Sequence, residues 1–513
     1  MRLEKAKNAK RNIIFGTALK IYQIILPFVF RTVLTYTLGV QYLGLNSLFT
    51  SVLQVLNLAE LGVGSAMVFS MYKPIAEDDS VKICALMKLY RLYYRIIGGI
   101  VLVAGLIVTP FIPHLISGDV PDDINVYVLY LLNLAATVLT YWLFAYKNSI
   151  LSAHQRTDIS SKVTIITDTV KYGLWLVALY VFKNYYYYVI AILLTQALCN
   201  ILTAMCAQKL YPLYKPQGQI SKEEQKAINK RIVDLFTSKL GGTLTSSVST
   251  IVISAFLGLE TLAIYQNYYY IMTSVAGFIT ILNSSVLAGI GNKLQTASMQ
   301  ENYHDFKVFM FLQFWIMGFC IVCFSALYQP FMVVWMGEDL LFEYDIVLLF
   351  CVYFLGYQYV QIMSVYKDAS GIWHADRFRP LISGLVNLVL SLLLVQWIGI
   401  CGVVIATLTS TFLISAPWIT RNLFHTVFKE EKISSYLLQI LFYTVISVVA
   451  AVVVNLICAW IPQTEGGWIG IGWFALRLLI CLVVANLIFL AAYFKLPLFR
   501  DSTGLIKRMF RRG

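Results

Sequence analysis

Long apolar runs alternate with short charged segments along the whole chain. Each run reaches about 20 residues, the length that an α-helix needs to cross a hydrocarbon layer about 30 Å thick. The pattern predicts about fourteen membrane helices. They lie near 12–36, 43–70, 93–117, 124–147, 160–182, 185–209, 232–257, 263–290, 306–328, 343–367, 380–398, 400–422, 434–461 and 468–494, and the pair at 380–422 is separated only by Trp397-Ile398-Gly399-Ile400.

Composition agrees with this pattern. The 513 residues are 59% hydrophobic and 13% charged, whereas a soluble domain has about 25% charged residues. Such a chain cannot cover its apolar surface in water, so we expect an all-α, polytopic membrane protein. A catalytic acid/base cluster in a sizeable loop is not evident, and an enzyme is therefore not expected.

The distribution of Lys and Arg predicts the topology, because these residues stay preferentially in cytoplasmic loops. With the N-terminus inside, Lys183 is the one cation in an outer loop. Five more fall within predicted helices, namely Lys20, Arg31, Lys171, Lys239 and Arg477, and all the others lie on the cytoplasmic side. We expect a multi-pass protein of the bacterial inner membrane with both termini in the cytoplasm.

The net charge of +13 does not indicate a nucleic-acid partner, because the cations are spread over separate short segments. The basic N-terminus precedes an apolar run too long for a signal peptide, so it reads as a retained first helix. Cys320 and Cys323 form the one close cysteine pair, and the five histidines are scattered. We predict neither a metal site nor a cofactor.

Two stretches of the chain repeat one another. Leu38-Gly39-Val40-Gln41-Tyr42-Leu43-Gly44 has a counterpart 219 residues later in Leu257-Gly258-Leu259-Glu260-Thr261-Leu262-Ala263. Asp158, after predicted helix 4, matches Asp376, after predicted helix 10, at nearly the same offset. Helices 1–6 and 7–12 therefore read as parallel repeats, which share their orientation in the membrane.

The repeat predicts two pseudo-symmetric six-helix lobes followed by two C-terminal helices. The lobes span 1–209 and 232–428, and a basic cytoplasmic linker, 210–231, joins them. Helices 13 and 14 and a basic tail occupy 429–513. In transporters built from such repeats the substrate binds between the repeats.

The segment LGVQYLGLNSLFTSVLQVLNLAELGVGSAMVFSMYKPIAEDD, residues 38–79, resembles the N-terminal region of the polysaccharide transporters, the Wzx-type oligosaccharide flippases. That family belongs to the multidrug/oligosaccharidyl-lipid/polysaccharide exporter (MOP) superfamily. The resemblance implies an inverted V-shaped bundle with alternating access. It further implies a flippase that moves an undecaprenyl-diphosphate-linked oligosaccharide from the cytoplasmic to the outer leaflet for surface polysaccharide biosynthesis, with the polymerase and glycosyltransferases of that pathway as partners.

Cations within predicted helices suggest where an anionic cargo would bind. Lys20 and Lys239 are 219 residues apart, the repeat offset, and a charge at mid-membrane usually lines a polar cavity or has a partner. Helical spacing adds Gln23 and Arg31 to the face of Lys20, and Ser246 and Thr250 to the face of Lys239. Ammonium and guanidinium groups suit a diphosphate. Alternatively, each lysine extends to the interface and anchors its helix.

Two acids are candidates for coupling to Na⁺ or H⁺. Glu60 lies among small residues on predicted helix 2, a composition that also permits close helix packing. Asp168 is three residues before Lys171, so the two side chains could also neutralise each other. Structural pairing is the competing interpretation for both acids.

Three other functions compete with the flippase. A cation-coupled multidrug exporter of the same superfamily would more often have twelve helices and an acid-rich cavity. Flippases of the peptidoglycan lipid precursor resemble one another in an Arg-Asp pair on helix 1, whereas Arg31 is followed by Thr32. A membrane polymerase or glycosyltransferase would need catalytic residues in a large loop.

The paired lysines give a first test. Replacing both Lys20 and Lys239 with Ala should abolish surface polymer in cells that depend on this protein, because the cationic wall for the diphosphate is lost. Polymer is measured alongside the amount of protein in the membrane. Unchanged polymer at normal protein levels would rule out the cavity assignment.

Overall fold

The computed structural model describes residues 5–118, 120–462 and 468–512. Some side chains within these ranges lie outside the description, among them Lys239, Ser246 and residues 505–512. The described chain is helical throughout its regular segments and contains no β-strand. The expectation of an all-α protein is confirmed.

The chain divides into two compact units, 1–263 and 264–513. Unit 1 contains α1 (Lys5–Thr37), α2 (Val40–Leu56), α3 (Val63–Ala76), α4 (Ser80–Val108), α5 (Val126–Trp142), α6 (Asn148–Ala153), α7 (Thr157–Tyr180), α8 (Tyr185–Leu210) and the first part of α9 (Lys222–Thr296). Unit 2 contains the rest of α9, then α10 (Met299–Met336), α11 (Tyr344–Ser370), α12 (Arg379–Thr409), α13 (Ala416–Thr426), α14 (Ile433–Cys458), α15 (Trp468–Ile480), α16 (Asn486–Tyr493) and α17 (Pro497–Arg512).

Each of the fourteen predicted segments coincides with helical structure, but the number of separate spans differs. Within the described ranges, ten helices are long and apolar enough to cross a membrane, or eleven with the bent pair α5 and α6. Two of the ten, 247–284 and 379–426, each overlap two predicted segments. A further helix, Thr157–Tyr180, is not among the ten; it carries Asp168 and Lys171 in its middle. The count of fourteen stays a prediction.

Tight kinks explain the two merged spans. In α9 a single residue, Gly258, leaves helical geometry with φ 88°. The break in the second case is at Ile398 and Gly399, within the tetrapeptide that separates the predicted pair at 380–422. Glycine tolerates the positive φ at both places, so the helix can kink there without a loop.

The outer surface of the helices is apolar. On α14, for example, large aliphatic side chains such as Leu438 and Leu456 are 67% and 63% exposed. A soluble protein rarely exposes so many contiguous apolar side chains. Lipid is the solvent that covers them, and the protein is a multi-pass membrane protein.

Several helices extend beyond the predicted membrane segments. The Asp79 carboxylate accepts a hydrogen bond from the Lys82 backbone N–H at 2.9 Å and starts α4 thirteen residues before predicted helix 3. Ser298 and Glu301 form a capping box that starts α10. These cap residues satisfy orphan N–H groups in the first turn. A search for apolar runs alone overlooks them.

The predicted linker 210–231 is half helical. Its second part, from Lys222, belongs to α9, while Tyr211 and Tyr214 stack with His154 of unit 1 at ring distances of 4.3 and 5.7 Å. Burial lowers the pKa of His154 to about 4, so its ring is neutral at pH 7 and packs as an aromatic group. The first part of the linker therefore packs against the rest of unit 1.

Aromatic clusters form the two cores. In unit 1, Phe30 of α1 packs against Trp175 of α7 and Tyr188 of α8, at ring distances of 4.2 and 5.0 Å. In unit 2, Phe306 of α10 contacts Tyr366 of α11 and further rings of α13 and α14. Such pairs add about 1 kcal/mol each beyond the burial of their area.

A buried carboxylate with cations beside it occurs in both units. Asp158 is 0% exposed and lies 2.9 Å from Arg156 Nε and 3.5 Å from Lys162 Nζ. Asp376 is 3% exposed and lies 2.7 Å from Arg379 Nε and 3.5 Å from the Lys367 ammonium. The two aspartates that define the sequence repeat thus have the same environment.

A break divides the second membrane helix. Between α2 and α3 the chain forms a 3₁₀ turn over Asn57–Glu60, becomes extended at Leu61, and adopts φ 91° at Gly62. A Cβ on Gly62 would lie 2.7 Å from Leu235 Cβ and 3.0 Å from the Ile232 carbonyl oxygen. Glycine is therefore required by both the backbone conformation and the close approach of α9.

A second break follows α5. Phe144 adopts the left-handed conformation with φ 56°, and a 3₁₀ turn over Ala145–Lys147 leads into α6. The two helices are bent by 46°. A bulky residue with positive φ is uncommon and costs on the order of 1–3 kcal/mol. Backbone strain of this kind is found most often at functional sites.

Replacing Asp158 with Asn should destabilise unit 1 at pH 7 by about 2 kcal/mol, because two partly exposed cations lose their buried anionic partner. Burial raises the pKa of Asp158, but the hydrogen bond and charge of Arg156 and the charge of Lys162 outweigh it, so the net pKa lies below the ordinary 3.8. The carboxylate therefore stabilises the fold above about pH 4, and this contribution is lost as pH falls through its folded pKa. Thermal unfolding in detergent measures the difference, and the half-exposed Asp368 supplies the control D368N. A pH-independent effect would contradict the ionic explanation.

Replacing Gly62 with Ala should also destabilise the protein, by about 1–3 kcal/mol, since a side chain there is strained and meets α9. The matched control is Gly16→Ala, where a Cβ has nothing within 4 Å. Thermal stability followed by size-exclusion chromatography compares the two variants. Equal stability would show that the break tolerates an ordinary residue.

Candidate functional site

A polar cavity of about 630 Å³ lies within unit 1, where the two helix breaks approach each other. Non-helical backbone at membrane depth is tolerated only where it is buried in protein or lines a water-filled cavity. Both breaks meet this condition. The lining residues come from the two breaks and from α3, α4, α6, α7 and α8: Glu60, Gly62, Gly64, Ser65, Val68, Phe69, Tyr72, Tyr90, Tyr94, Phe144, Ala145, Asn148, Ser149, Ser152, Ser160, Thr164, Cys199, Asn200 and Thr203.

Glu60 is the one carboxylate in this lining. The Tyr94 hydroxyl donates a hydrogen bond to its Oε1 at 3.2 Å, and the Tyr90 hydroxyl donates to Tyr94 at 2.6 Å. Gly64 has no side chain and so leaves space for the hydrogen-bonded tyrosines, because a Cβ there would lie 3.1 Å from the Tyr90 hydroxyl. The two phenols thus form a chain of hydrogen bonds that ends on the Glu60 carboxylate and holds it in place.

Amide and hydroxyl groups line the rest of the cavity. The Ser160 hydroxyl donates to the Asn148 side-chain oxygen at 2.6 Å, and the Asn200 amide donates to the Thr140 carbonyl at 3.0 Å. These contacts fix the side chains in place. Fixed hydroxyls, amides and phenols can both donate to and accept from a polyhydroxylated ligand.

The cavity extends from Glu60 towards the end of unit 1 where α1 begins. The side-chain amide of Asn12 in α1 donates to the Gln155 carbonyl at 3.0 Å, and its oxygen accepts from the Asp158 backbone N–H at 2.9 Å. Ser152 and Ser160, which line the cavity, are close to these residues in the chain. The predicted topology makes this the cytoplasmic side.

Of the predicted site residues, Glu60 lines the cavity. Asp168 instead forms an ion pair with Lys171 at 2.6 Å, and the Lys171 ammonium lies 4.9 Å from the Tyr172 ring centre. The alternative that these two charges neutralise each other accounts for both. The roles of Glu60 and Asp168 in ion coupling stay predictions.

The predicted cationic wall is described in part. Lys20 and Gln23 are exposed on α1, and Arg31 is half-buried on the same helix. Thr250 is 2% exposed and so has almost no surface for a ligand to touch in this structure. The side chains of Lys239 and Ser246 lie outside the described residues. Of the four whose side chains the structure describes, none lines the polar cavity, and the role of all six in cargo binding stays a prediction.

The sequence reasoning missed most of the cavity. Tyr90 and Tyr94 are four residues apart on one face of α4, and Asn148 and Asn200 are single amides in apolar surroundings. The one available signal was Glu60-Leu61-Gly62, an acid followed by a glycine in the middle of an apolar run. The small residues there permit close packing, as predicted, because α9 approaches Gly62, but Gly62 also breaks the helix, which the sequence pattern does not predict.

Three solved structures have a similar fold. The lipid II flippase MurJ in an inward closed conformation matches with a TM-score of 0.66 at 15% identity, over 94% of this chain and 99% of that chain. An inward-facing MATE multidrug resistance transporter of the MOP superfamily matches with 0.61 at 14% identity, over 79% and 97%. A MOP superfamily transporter from Pyrococcus furiosus matches with 0.55 at 12% identity, over 83% and 97%. At these identities the likeness establishes the fold of a multi-pass membrane transporter.

No curated protein matches the sequence. A family model does, however, and it covers residues 9–288, more than half of the chain and all of the cavity-lining residues. The match extends well beyond the segment 38–79 that carries the resemblance noted above. The chain belongs to the family described as polysaccharide biosynthesis protein.

Proposed function

We propose that this protein is a flippase that moves an undecaprenyl-diphosphate-linked oligosaccharide from the cytoplasmic to the outer leaflet. The observation that carries the proposal is the polar cavity inside the membrane helices of a chain from a polysaccharide biosynthesis family. A sugar chain cannot cross hydrocarbon by itself, because each hydroxyl without a hydrogen bond costs several kcal/mol. A cavity lined by amides, hydroxyls and phenols replaces the lost water.

The dimensions of the cavity suit part of such a cargo. A volume of about 630 Å³ is within the range of ordinary small-molecule sites, about 300–1,000 Å³. It can hold a few sugar rings, while the lipid tail remains in the bilayer. Aromatic side chains such as Tyr72 and Phe69 offer flat apolar surface beside the polar groups, a combination that suits the two faces of a sugar ring.

Glu60 is the candidate for energy coupling. A carboxylate in this position can bind Na⁺ or H⁺, and the hydrogen bond from Tyr94 at 3.2 Å holds it in place. If the ion and the cargo bind with different affinities in the two orientations of the transporter, the ion gradient drives the cargo. Asp168 is a weaker candidate, because Lys171 already neutralises it.

A multidrug exporter is the second candidate. The observation in its favour is again Glu60, because a carboxylate surrounded by Tyr90, Tyr94 and Phe144 suits an organic cation. The structural likeness to a MATE transporter is nearly as high as that to MurJ. Transport measurements on both substrate classes separate the two functions.

The test uses purified protein in liposomes with a pH or Na⁺ gradient. A fluorescent undecaprenyl-diphosphate glycan should become accessible to an external quencher faster than in protein-free liposomes. The variant Glu60→Gln keeps an acceptor for Tyr94 but cannot bind a cation. It should reduce gradient-driven flipping about tenfold, which corresponds to about 1.4 kcal/mol in the barrier.

The control is Glu77→Gln, which removes an exposed carboxylate paired with Lys73 outside the cavity. It should flip the glycan like the wild type. Export of ethidium without any movement of the glycan would contradict the flippase proposal and favour the multidrug exporter. An unchanged response of Glu60→Gln to the gradient would remove Glu60 from the coupling scheme.

A further inference from the structure

Unit 2 contains a long apolar groove between α11 and α14. It consists of two adjoining cavities of about 630 and 540 Å³, and Leu355 and Thr444 line both of them. On α14 the lining runs from Ile433 to Leu456, about 35 Å at 1.5 Å per residue. This α11–α14 groove is therefore as long as the hydrocarbon layer is thick.

The polar groups on the floor of the groove are paired with each other. The Tyr359 and Thr420 hydroxyls share a hydrogen bond of 2.6 Å, and both side chains are buried. Phe314, which is 3% exposed, closes the floor beside them. The floor of the groove is thus apolar, and its two hydroxyls already have hydrogen-bond partners. Such a floor favours an apolar ligand.

An irregular helix shapes the groove. Residues Ser410–Ser415, between α12 and α13, form a π-helical segment, a feature that is frequent at functional sites. Phe412 from this segment lines the groove and packs against Gly356, where a Cβ would lie 3.0 Å from its ring. The bulge and the bare glycine together place an aromatic ring in the wall.

The two ends of the groove differ in charge. Arg421 and His425, one turn apart on α13, line one end, and both are exposed. Within the described chain neither has an ion pair or a hydrogen bond. At the other end the Tyr344 hydroxyl donates to Asn455 at 3.3 Å, and Asn455 donates to Ser325 at 2.9 Å, without a charged group in the lining.

We propose that the cationic half of the α11–α14 groove binds one anionic phospholipid of the surrounding bilayer. Its phosphate contacts Arg421 and His425, and an acyl chain lies along the groove past Phe412 and Leu355. The occupant comes from the bilayer because the rim, with Leu437 and Leu441 about half exposed, opens towards lipid.

Charge complementarity selects the headgroup. The positive-inside prediction places the segment after α13 in the cytoplasm, where the adjoining leaflet carries anionic lipids. A cation near that surface is attracted by an anionic headgroup. Arg421 and His425 also complement the dipole at the C-terminus of α13. That role alone does not explain why the groove ends at these two residues.

The test is lipid retention by the full-length protein. Purified protein is exchanged into nanodiscs with equal amounts of phosphatidylglycerol and phosphatidylcholine of the same acyl chains, released into detergent, and examined by native mass spectrometry. The wild type should retain one phosphatidylglycerol in preference to phosphatidylcholine. The double variant R421A/H425A should lower this preference about tenfold, and R421K/H425K should restore it.

The matched control removes the same two residue types elsewhere. His374 and Arg377 are exposed in the segment before α12, and H374A/R377A should retain phosphatidylglycerol like the wild type. Equal retention by R421A/H425A and the wild type would overturn the headgroup assignment. So would an equal loss in both double variants, because it would reflect general surface charge.

A second pair of variants tests the groove itself. Thr444→Trp fills it without changing charge and should reduce retention of phosphatidylglycerol at least fivefold, whereas Val449→Trp, on α14 but outside the lining, should not. The last measurement adds polyprenyl diphosphate to the protein with its retained phospholipid. If it displaces the phospholipid one for one, the occupant is a cargo lipid, and the proposal of a bilayer phospholipid is wrong.

Discussion

The constraint behind this structure is that hydrocarbon cannot hydrogen-bond to a peptide group. Every backbone N–H and C=O in the membrane must find its partner in the protein, so the chain is built from helices. A break in a helix is then costly and needs a place that supplies other partners. Two of the breaks in unit 1, at Gly62 and Phe144, open on the same polar cavity. The location of the site follows from where the helices stop being regular.

The two units meet this constraint differently. Asp158 and Asp376 have similar environments, buried beside two cations at the start of a helix. Unit 1 nevertheless contains the polar cavity with Glu60, whereas the cavities of unit 2 described above are apolar and open towards lipid. The two units thus present different surfaces, one suited to a hydrophilic ligand and the other to a hydrophobic one.

Much of the fold was readable from the sequence. Apolar runs of about 20 residues gave the positions of the helices, because burial in lipid depends on composition more than on packing detail. The turn at Ile398-Gly399 was also visible, since glycine marks a change of direction. Helix extensions such as 80–92 were missed, because they depend on a cap at Asp79 and lie outside the apolar layer. The number of spans differs from the predicted fourteen partly because two pairs of predicted helices are each joined across a kink into one long helix.

The site was much less predictable. Glu60 was found because a carboxylate is conspicuous in an apolar run, but Tyr90, Tyr94 and Asn148 look like ordinary membrane-helix residues. They become a site only when α4 and α6 meet at the two breaks, and that meeting depends on tertiary packing. The prediction that Lys20 and Lys239 form a cationic wall rests on the repeat offset, on the cost of a charge at mid-membrane and on helical spacing. Symmetry fixes equivalent positions but does not say which way a side chain faces.

The depth of Glu60 has an electrical consequence. It lies 20 residues after the start of α2 and 16 before the end of α3, so it is near the middle of its membrane stretch. A charge that crosses the whole membrane gains or loses about 2.3 kcal/mol per 100 mV, and an ion that travels halfway to reach Glu60 experiences roughly half of this. If Glu60 binds the coupling ion as proposed, membrane voltage contributes to its binding even when the ion has the same concentration on both sides.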